Sequence, residues 1–167
     1  IETEKCRRFC AAKLQNISIH DSSIEMQIRL ENLGIRAISN VVDLTNLSLL
    51  GFGQPMHVFD ADKIVGSLII RQAKSGEKLV ALDEETYELN PEDIVIADEE
   101  KVLSIAGIMG GIESGATSET KNIVYESACF DPVSIRKTAQ RLGLRSDSSM
   151  RFEKSLDPEV CKKALLW

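Results

Sequence analysis

The 167-residue sequence has no CxxC pair, no apolar run of membrane-spanning length and no excess of positive charge. Each absence excludes something. A bilayer-crossing helix needs about 20 mostly apolar residues in succession, so no membrane segment is expected. A formal net charge of −6 argues against a protein that coats nucleic acid by neutralising phosphates. It leaves room for one RNA end entering one pocket. The four cysteines are Cys6, Cys10, Cys129 and Cys161. Only Cys6 and Cys10 are close in sequence, and no histidine lies beside them to complete a zinc site, so they read as reduced thiols of a reducing compartment and no metal is expected. The stretch Gly107-Ile108-Met109-Gly110-Gly111 lacks both GxGxxG spacing and the lysine of a phosphate loop.

What is present describes a soluble globular chain, 43% hydrophobic and 28% charged. Its length suits one domain, residues 1–167. A helical pattern from Pro158 to Leu166 runs almost to Trp167, so this domain is expected to be a fragment of a longer multidomain chain.

The chain is organised around Asn40 to Asp60. Asn40 precedes Asp43 as an N-cap candidate, Val41, Leu44, Leu47 and Ser48 recur at helical spacing, and Gly51 is the expected stop. A loop, Gly51-Phe52-Gly53-Gln54-Pro55, leads into Met56-His57-Val58-Phe59-Asp60. Asn46 near the helix end and His57 after the loop are expected to converge on one pocket.

Upstream, alternation predicts a strand within Arg8–Ile19. A helix follows, with Ser22 and Glu25 as a capping box, Ile24, Ile28 and Leu33 on its apolar face and Gly34 as its end. Downstream the period changes to two. Strands are expected at 68–73, 78–82, 86–89, 94–97, 102–105 and 122–130, with 102–105 pairing back on 94–97. Such close spacing means antiparallel sheets. In the strand 122–130, Glu126 shares a face with the apolar Val124 and Ala128. A carboxylate there needs either a ligand or an ion-pair partner, for which Arg71, Arg136 and Arg151 are candidates. Asp131-Pro132 opens a helix that runs to Gly143. Residues 144–153 are polar and hydroxyl-rich, as in a loop that lines something, and Asp157-Pro158 opens the last helix. The class is α+β.

The motifs NVVDLTN, GQPMHVFD, AGIMGG and ESACFDPVSIRKTAQRLGLRSDSSMRFEKSLDP stand in this order along nearly the whole chain. Together they resemble the bacterial phenylalanyl-tRNA synthetase beta subunit, specifically its B3/B4 editing module. The resemblance implies a layered β/β/α sandwich of mainly antiparallel short strands with a few flanking helices. It also implies a cleft that hydrolyses tyrosine mischarged onto tRNA(Phe). Partners would be the tRNA(Phe) 3′ end, the synthetase alpha subunit and the rest of the beta subunit, in a cytoplasmic assembly of two alpha and two beta subunits. No cofactor is implied for the domain itself, and ATP with magnesium serves the parent enzyme. By motif position, Thr45, Asn46 and His57 match the catalytic pocket residues. Gly107 matches a backbone donor, Glu126 the carboxylate that reads the tyrosine phenol, and Ser146 and Ser148 the substrate-side loop.

The chemistry agrees with that carry-over. A site built to bond a hydroxyl discriminates by about 10⁴–10⁵ against the analogue lacking it, which an apolar pocket does not achieve. Hydrolysis further needs an oriented water and stabilisation of the oxyanion. In three places the chain departs from the family's usual pattern. Ser146 stands for threonine, Ser148 for alanine and Met150 for histidine, so Ser148 either alters a normally apolar wall or faces away. The alternative reading is a catalytically decayed module kept for architecture or for docking the tRNA end.

Overall fold

The computed structural model describes residues 1–167. Most of its strands fall where the two-residue alternation places them, and they assemble into two main sheets, with the helices Ile24–Asn32, Asn40–Phe52 and Pro158–Leu166 on the outer face of the first. Strands β1 (Cys6–Leu14), β9 (Ile123–Phe130) and β2 (Met56–Asp60) form an antiparallel sheet in the order β1-β9-β2. A second antiparallel sheet has the order β3 (Ile69–Gln72), β6 (Ile94–Ala97), β7 (Val102–Ile105), β8 (Met109–Gly110). The hairpin β4 (Lys78–Val80)–β5 (Thr86–Glu88) adjoins it through an isolated bridge between Ala81 and Gly111. The β6–β7 pairing across residues 98–101 is the expected one.

Strand β9 divides the interior. On one face Val124, Ala128 and Phe130 join Phe59 and the β6–β7 side chains in a cluster of 20 buried residues between the two sheets. On the other, Ile123 meets Val58 and Val41 of helix α2 (Asn40–Phe52), with Tyr125 packed beside them. Tyr125 also donates its hydroxyl to the Val41 carbonyl at 2.9 Å. Helix α5 (Pro158–Leu166) covers the same helical side, burying Cys161 and Ala164. The result is sheet on sheet on helix, an α+β fold. Helix α3 (Pro132–Leu142) contributes Ile135 to the main cluster, and a short helix α4 (Asp147–Phe152) contributes Phe152.

Several local expectations need correction. The N-cap of α2 is Ser39, whereas Asn40 bonds backwards to His20 and Ser18. The helix runs through Gly51 to Phe52, and Gly53, at φ +71°, is the left-handed cap. Helix α1 (Ile24–Asn32) is capped by Ser23, because the Ser22 hydroxyl donates instead to buried Asp43 at 2.6 Å. The only buried side chain of α1 is Leu30, and Ile24, Ile28 and Leu33 face outward at 74%, 52% and 58% exposure. The periodicity is there, but it does not mark the buried face. Strand β1 ends at Leu14 rather than near Ile19. The hydroxyl-rich stretch is not all loop, since Ser146 caps α4. The glycine stretch contains β8, an edge strand of two residues too short to show a period.

Candidate functional site

A cleft of about 170 Å³ opens between the two sheets. An apolar cavity of roughly 150 Å³ holds one benzene ring, so this space suits a single aromatic side chain. Three elements wall it. Strand β2 brings His57, β9 brings Glu126, and the β7–β8 hairpin brings Gly107 in its turn and Gly110 in β8; Ser148 of α4 closes one side.

Backbone register sets the first pair. His57 and Glu126 are directly opposite across β2 and β9, so their side chains leave the same face of the sheet as neighbours. The loop before His57 is tied down by Gln54, which is buried and donates to the carbonyls of Pro55 and Ala128, both at 2.9 Å. That explains why glutamine precedes the proline: its amide joins the loop to β9 two residues from Glu126.

Glu126 is electrostatically unusual here. The chain buries five carboxylates, Asp43, Asp60, Asp93, Asp98 and Glu126. Asp43 accepts from Ser22 and the Ile38 N–H, Asp60 from Thr120, Asp93 from Thr138 and Arg141, and Asp98 from three backbone N–H groups. Glu126 has no such partner. The candidate ion pairs do not form. Arg71 is bridged to Glu77 at 2.7 Å, and Arg136 and Arg151 approach no carboxylate. Burial therefore raises the Glu126 carboxyl to about 8, because low-dielectric surroundings disfavour the charged form.

Burial acts on His57 in the opposite sense, lowering it to about 4, so the imidazole is neutral at pH 7. The ring is edge-on to Phe59, with centroids 4.5 Å apart. Its Nε2 is sealed and partnerless. Gly110 explains the seal. A Cβ on Gly110 would meet His57 Cε1 at 2.4 Å and Nε2 at 2.8 Å, so only glycine lets the backbone lie against the ring. Nδ1, also without a partner in the chain, is not sealed and is the nitrogen left reachable.

Gly107 lines the cleft at φ +69°, and its N–H donates to no carbonyl. A Cβ there would meet Phe152 at 2.9 Å and Phe130 at 3.0 Å. Helix α4 holds this turn. Ser148 donates to the Gly107 carbonyl at 3.0 Å and Ser146 to the Ile108 carbonyl at 2.8 Å. Ser148 thus faces the cleft, with its hydroxyl engaged by the turn. Ser146 supports from behind, in a reciprocal cap with Ser149. Met150 lines a different cavity, beside α2.

Thr45 and Asn46 are not brought to these walls. Thr45 is buried, its hydroxyl donates to the Val42 carbonyl at 2.6 Å, and it borders a separate cavity between α1, α2 and α5. Asn46 is half-buried on α2. The expected convergence of Asn46 with His57 is therefore absent. The reason is that α2 lies on the helical face of the sheet, whereas His57 leaves the opposite face with Glu126.

Among the cleft residues that escaped the sequence reading, two bear on its chemistry. Gly110 is one, its role being visible only once His57 is placed. Ser104 of β7 is the other. It is 4% exposed and lines the cleft, and its hydroxyl has no hydrogen-bond partner in the chain. The sealed orphan polar atoms are Arg8 Nε, His57 Nε2 and Ser127 Oγ. Ser104 and Glu126, equally partnerless but not among those sealed atoms, keep contact with the space of the cleft. A serine amid apolar strand residues gives no signal that separates this from an ordinary buried hydroxyl.

The sequence profile of the B3/4 domain matches residues 5–166. The chain belongs to the B3/4 domain family. Similar curated proteins are phenylalanine–tRNA ligase beta subunits. That of Aquifex aeolicus is 44% identical over 164 residues, covering 98% of this chain and 21% of the subunit. That of Latilactobacillus sakei is 50% identical over 155 residues, covering 91% and 19%. This B3/4 domain thus spans about a fifth of the length of the curated relatives it matches. Among solved structures, an N-terminal fragment of the phenylalanyl-tRNA synthetase beta subunit from Pyrococcus horikoshii aligns with a TM-score of 0.58 at 16% identity. The alignment covers 85% of this chain and 47% of the fragment. At that identity the likeness is one of fold. The expected α+β architecture and the resemblance to the beta subunit are both borne out.

Proposed function

We propose that this B3/4 domain hydrolyses the aminoacyl ester of tyrosyl-tRNA(Phe), as the editing site of a phenylalanine–tRNA ligase. The observation that carries the reading is Glu126: a buried carboxylate with no partner in the chain, beside a neutral histidine, in a cleft sized for one aromatic ring. Such a group is costly to keep. A phenol supplies what it lacks, donating to the carboxylate or accepting from the carboxylic acid. The Gly107 N–H and the Ser104 hydroxyl are free donors in the same cleft. A phenylalanine ring would leave all three unmatched, which is the basis of strong discrimination.

The reaction needs water as nucleophile. His57, held neutral, accepts a hydrogen bond from a water at its reachable nitrogen and orients it towards the ester carbonyl. The water oxygen bonds to that carbon, the tetrahedral intermediate collapses, and the bond to the ribose oxygen breaks. The ribose oxygen leaves with a proton and tyrosine leaves as a carboxylic acid. Thr45 and Asn46 are given no step in this reaction, since they do not line the ring-sized cleft and stand on the other face of the sheet.

The test is deacylation of tyrosyl-tRNA(Phe), with phenylalanyl-tRNA(Phe) alongside, by the complete ligase. The unaltered enzyme should release tyrosine selectively. Glu126→Ala should abolish the selectivity, and His57→Ala should slow release by about 10²-fold, the lower range for a proton-handling group. Normal aminoacylation with no tyrosine release would instead identify a structural module.

A further inference from the structure

The chain is acidic overall, but its charge is unevenly placed. Between Pro132 and Lys154 six cationic side chains stand against two acidic ones, giving +4 in a chain of −6 and leaving −10 for the rest. Those six are Arg136, Lys137, Arg141, Arg145, Arg151 and Lys154, and all are exposed. Arg141 is held by Asp93 and Lys154 lies 3.3 Å from Glu153. Arg136, Lys137, Arg145 and Arg151 have no carboxylate partner, although acidic residues outnumber basic ones in the chain as a whole.

Helix α4 gives this patch its place. Ser148 faces the cleft. On one flank of α4, a hollow of about 340 Å³ is bordered by Arg136 and Arg145, with Glu153 the single anion. On the other, a hollow of about 520 Å³ is bordered by Arg151 and Lys154, with Asp147 the single anion. Each flank thus carries two cations to one anion, and the helix between them is a wall of the cleft. A polyanion reaching the cleft over α4 meets positive charge on both sides, whereas the rest of the chain has a net charge of −10.

We propose that the α3–α4 face is the docking surface for the sugar–phosphate backbone of a single-stranded RNA 3′ end. It would hold the last phosphates while the esterified terminal ribose projects past Ser148 into the cleft. The proposal rests on the editing reading above. It also revises the inference from net charge alone, because the contacts to phosphate are local.

The experiment compares the complete ligase with its Arg145→Gln/Arg151→Gln form and with a Lys162→Gln/Lys163→Gln control, which removes equal charge from exposed positions on α5. Two substrates are used: tyrosyl-tRNA(Phe), and tyrosine esterified to adenosine, which has no phosphate. Losing two phosphate contacts should lower kcat/KM for the tRNA about tenfold at low salt. It should also reduce the slope of log kcat/KM against log salt by about 1.4, at roughly 0.7 per phosphate for single strands. The adenosine ester and the control should be unaffected. Unchanged kcat/KM and slope in the arginine variant would overturn the docking surface, as would an equal loss in the control or on the adenosine ester. If the unaltered ligase releases no tyrosine from either substrate, the editing reading has failed instead. Thermal melting of each variant confirms that the fold is kept.

Discussion

Glu126 and His57 are neighbours whose burial pushes stability in opposite directions with pH. The Glu126 carboxyl is raised to about 8, so the folded state holds a proton that the unfolded state releases near pH 4.3. Its contribution is fully present below the unfolded value and is lost as pH rises through about 8. His57, lowered to about 4, does the reverse: its contribution is present above pH 6.5 and is lost as pH falls towards 4. Glu126→Gln removes the first effect alone. Urea denaturation should therefore find the variant gaining on the native protein between pH 5 and 9, by on the order of a few kcal/mol, with little difference at pH 4. Equal gaps at all pH values would mean that the carboxyl is not desolvated. At the same scale, Ser104→Ala should reduce tyrosine release by roughly 3–10-fold, the worth of one hydrogen bond between neutral groups. Slow release from phenylalanyl-tRNA(Phe) should be unchanged. A fall on both esters would assign Ser104 to packing rather than to reading the phenol.

Among the elements, α4 is where local chemistry and the site are joined most directly. It has only six residues, too few to be stable by itself, and it is held by its cap and by two serine bonds to the 107–108 turn. Ser146→Ala removes both an N-cap acceptor and a donor to the Ile108 carbonyl. The expected cost is about 1–2 kcal/mol in urea denaturation. Tyrosine release should fall further than stability does, because the Gly107 N–H loses its fixed position. Ser146→Thr, which keeps the hydroxyl, should restore both. An alanine variant as active as the native enzyme would show that the turn is rigid without α4. This element also marks the limit of sequence reading. The strands at 94–97 and 123–130 were legible, the first as a short apolar run bounded by turn residues and the second by its alternation. Helix α4 and strand β8 were not, because six and two residues show no period. The caps of α1 and α2 slipped by one residue for another reason. In each case two neighbouring polar residues competed, and a tertiary bond to Asp43 or His20 removed one of them from the cap.

For the whole molecule, what divides the readings is which side of the β1-β9-β2 sheet a residue occupies. His57 and Glu126 were legible by motif position, and Glu126 also by its apolar strand face; one strand pairing then puts them together. Asn46 was attached to His57 through the spacing of helix and loop, and Thr45 by motif position alone, and the sheet stands between. The same division predicts where the fold is firm. The larger cluster, between the sheets, has 20 buried residues, whereas the cluster under α2 has three. Helix α1 buries only Leu30 and turns Ile24 and Ile28 outward. Packing rather than propensity supplies most helical stability, and elements with few buried apolar contacts open first. Native-state hydrogen exchange should find the amides of α1 opening with the least free energy, those of α2 intermediate, and those of β6, β7 and β9 only with global unfolding. If α1 instead exchanges together with β9, its outward apolar side chains are covered in solution, and the helix belongs to a larger cooperative unit than its own contacts provide.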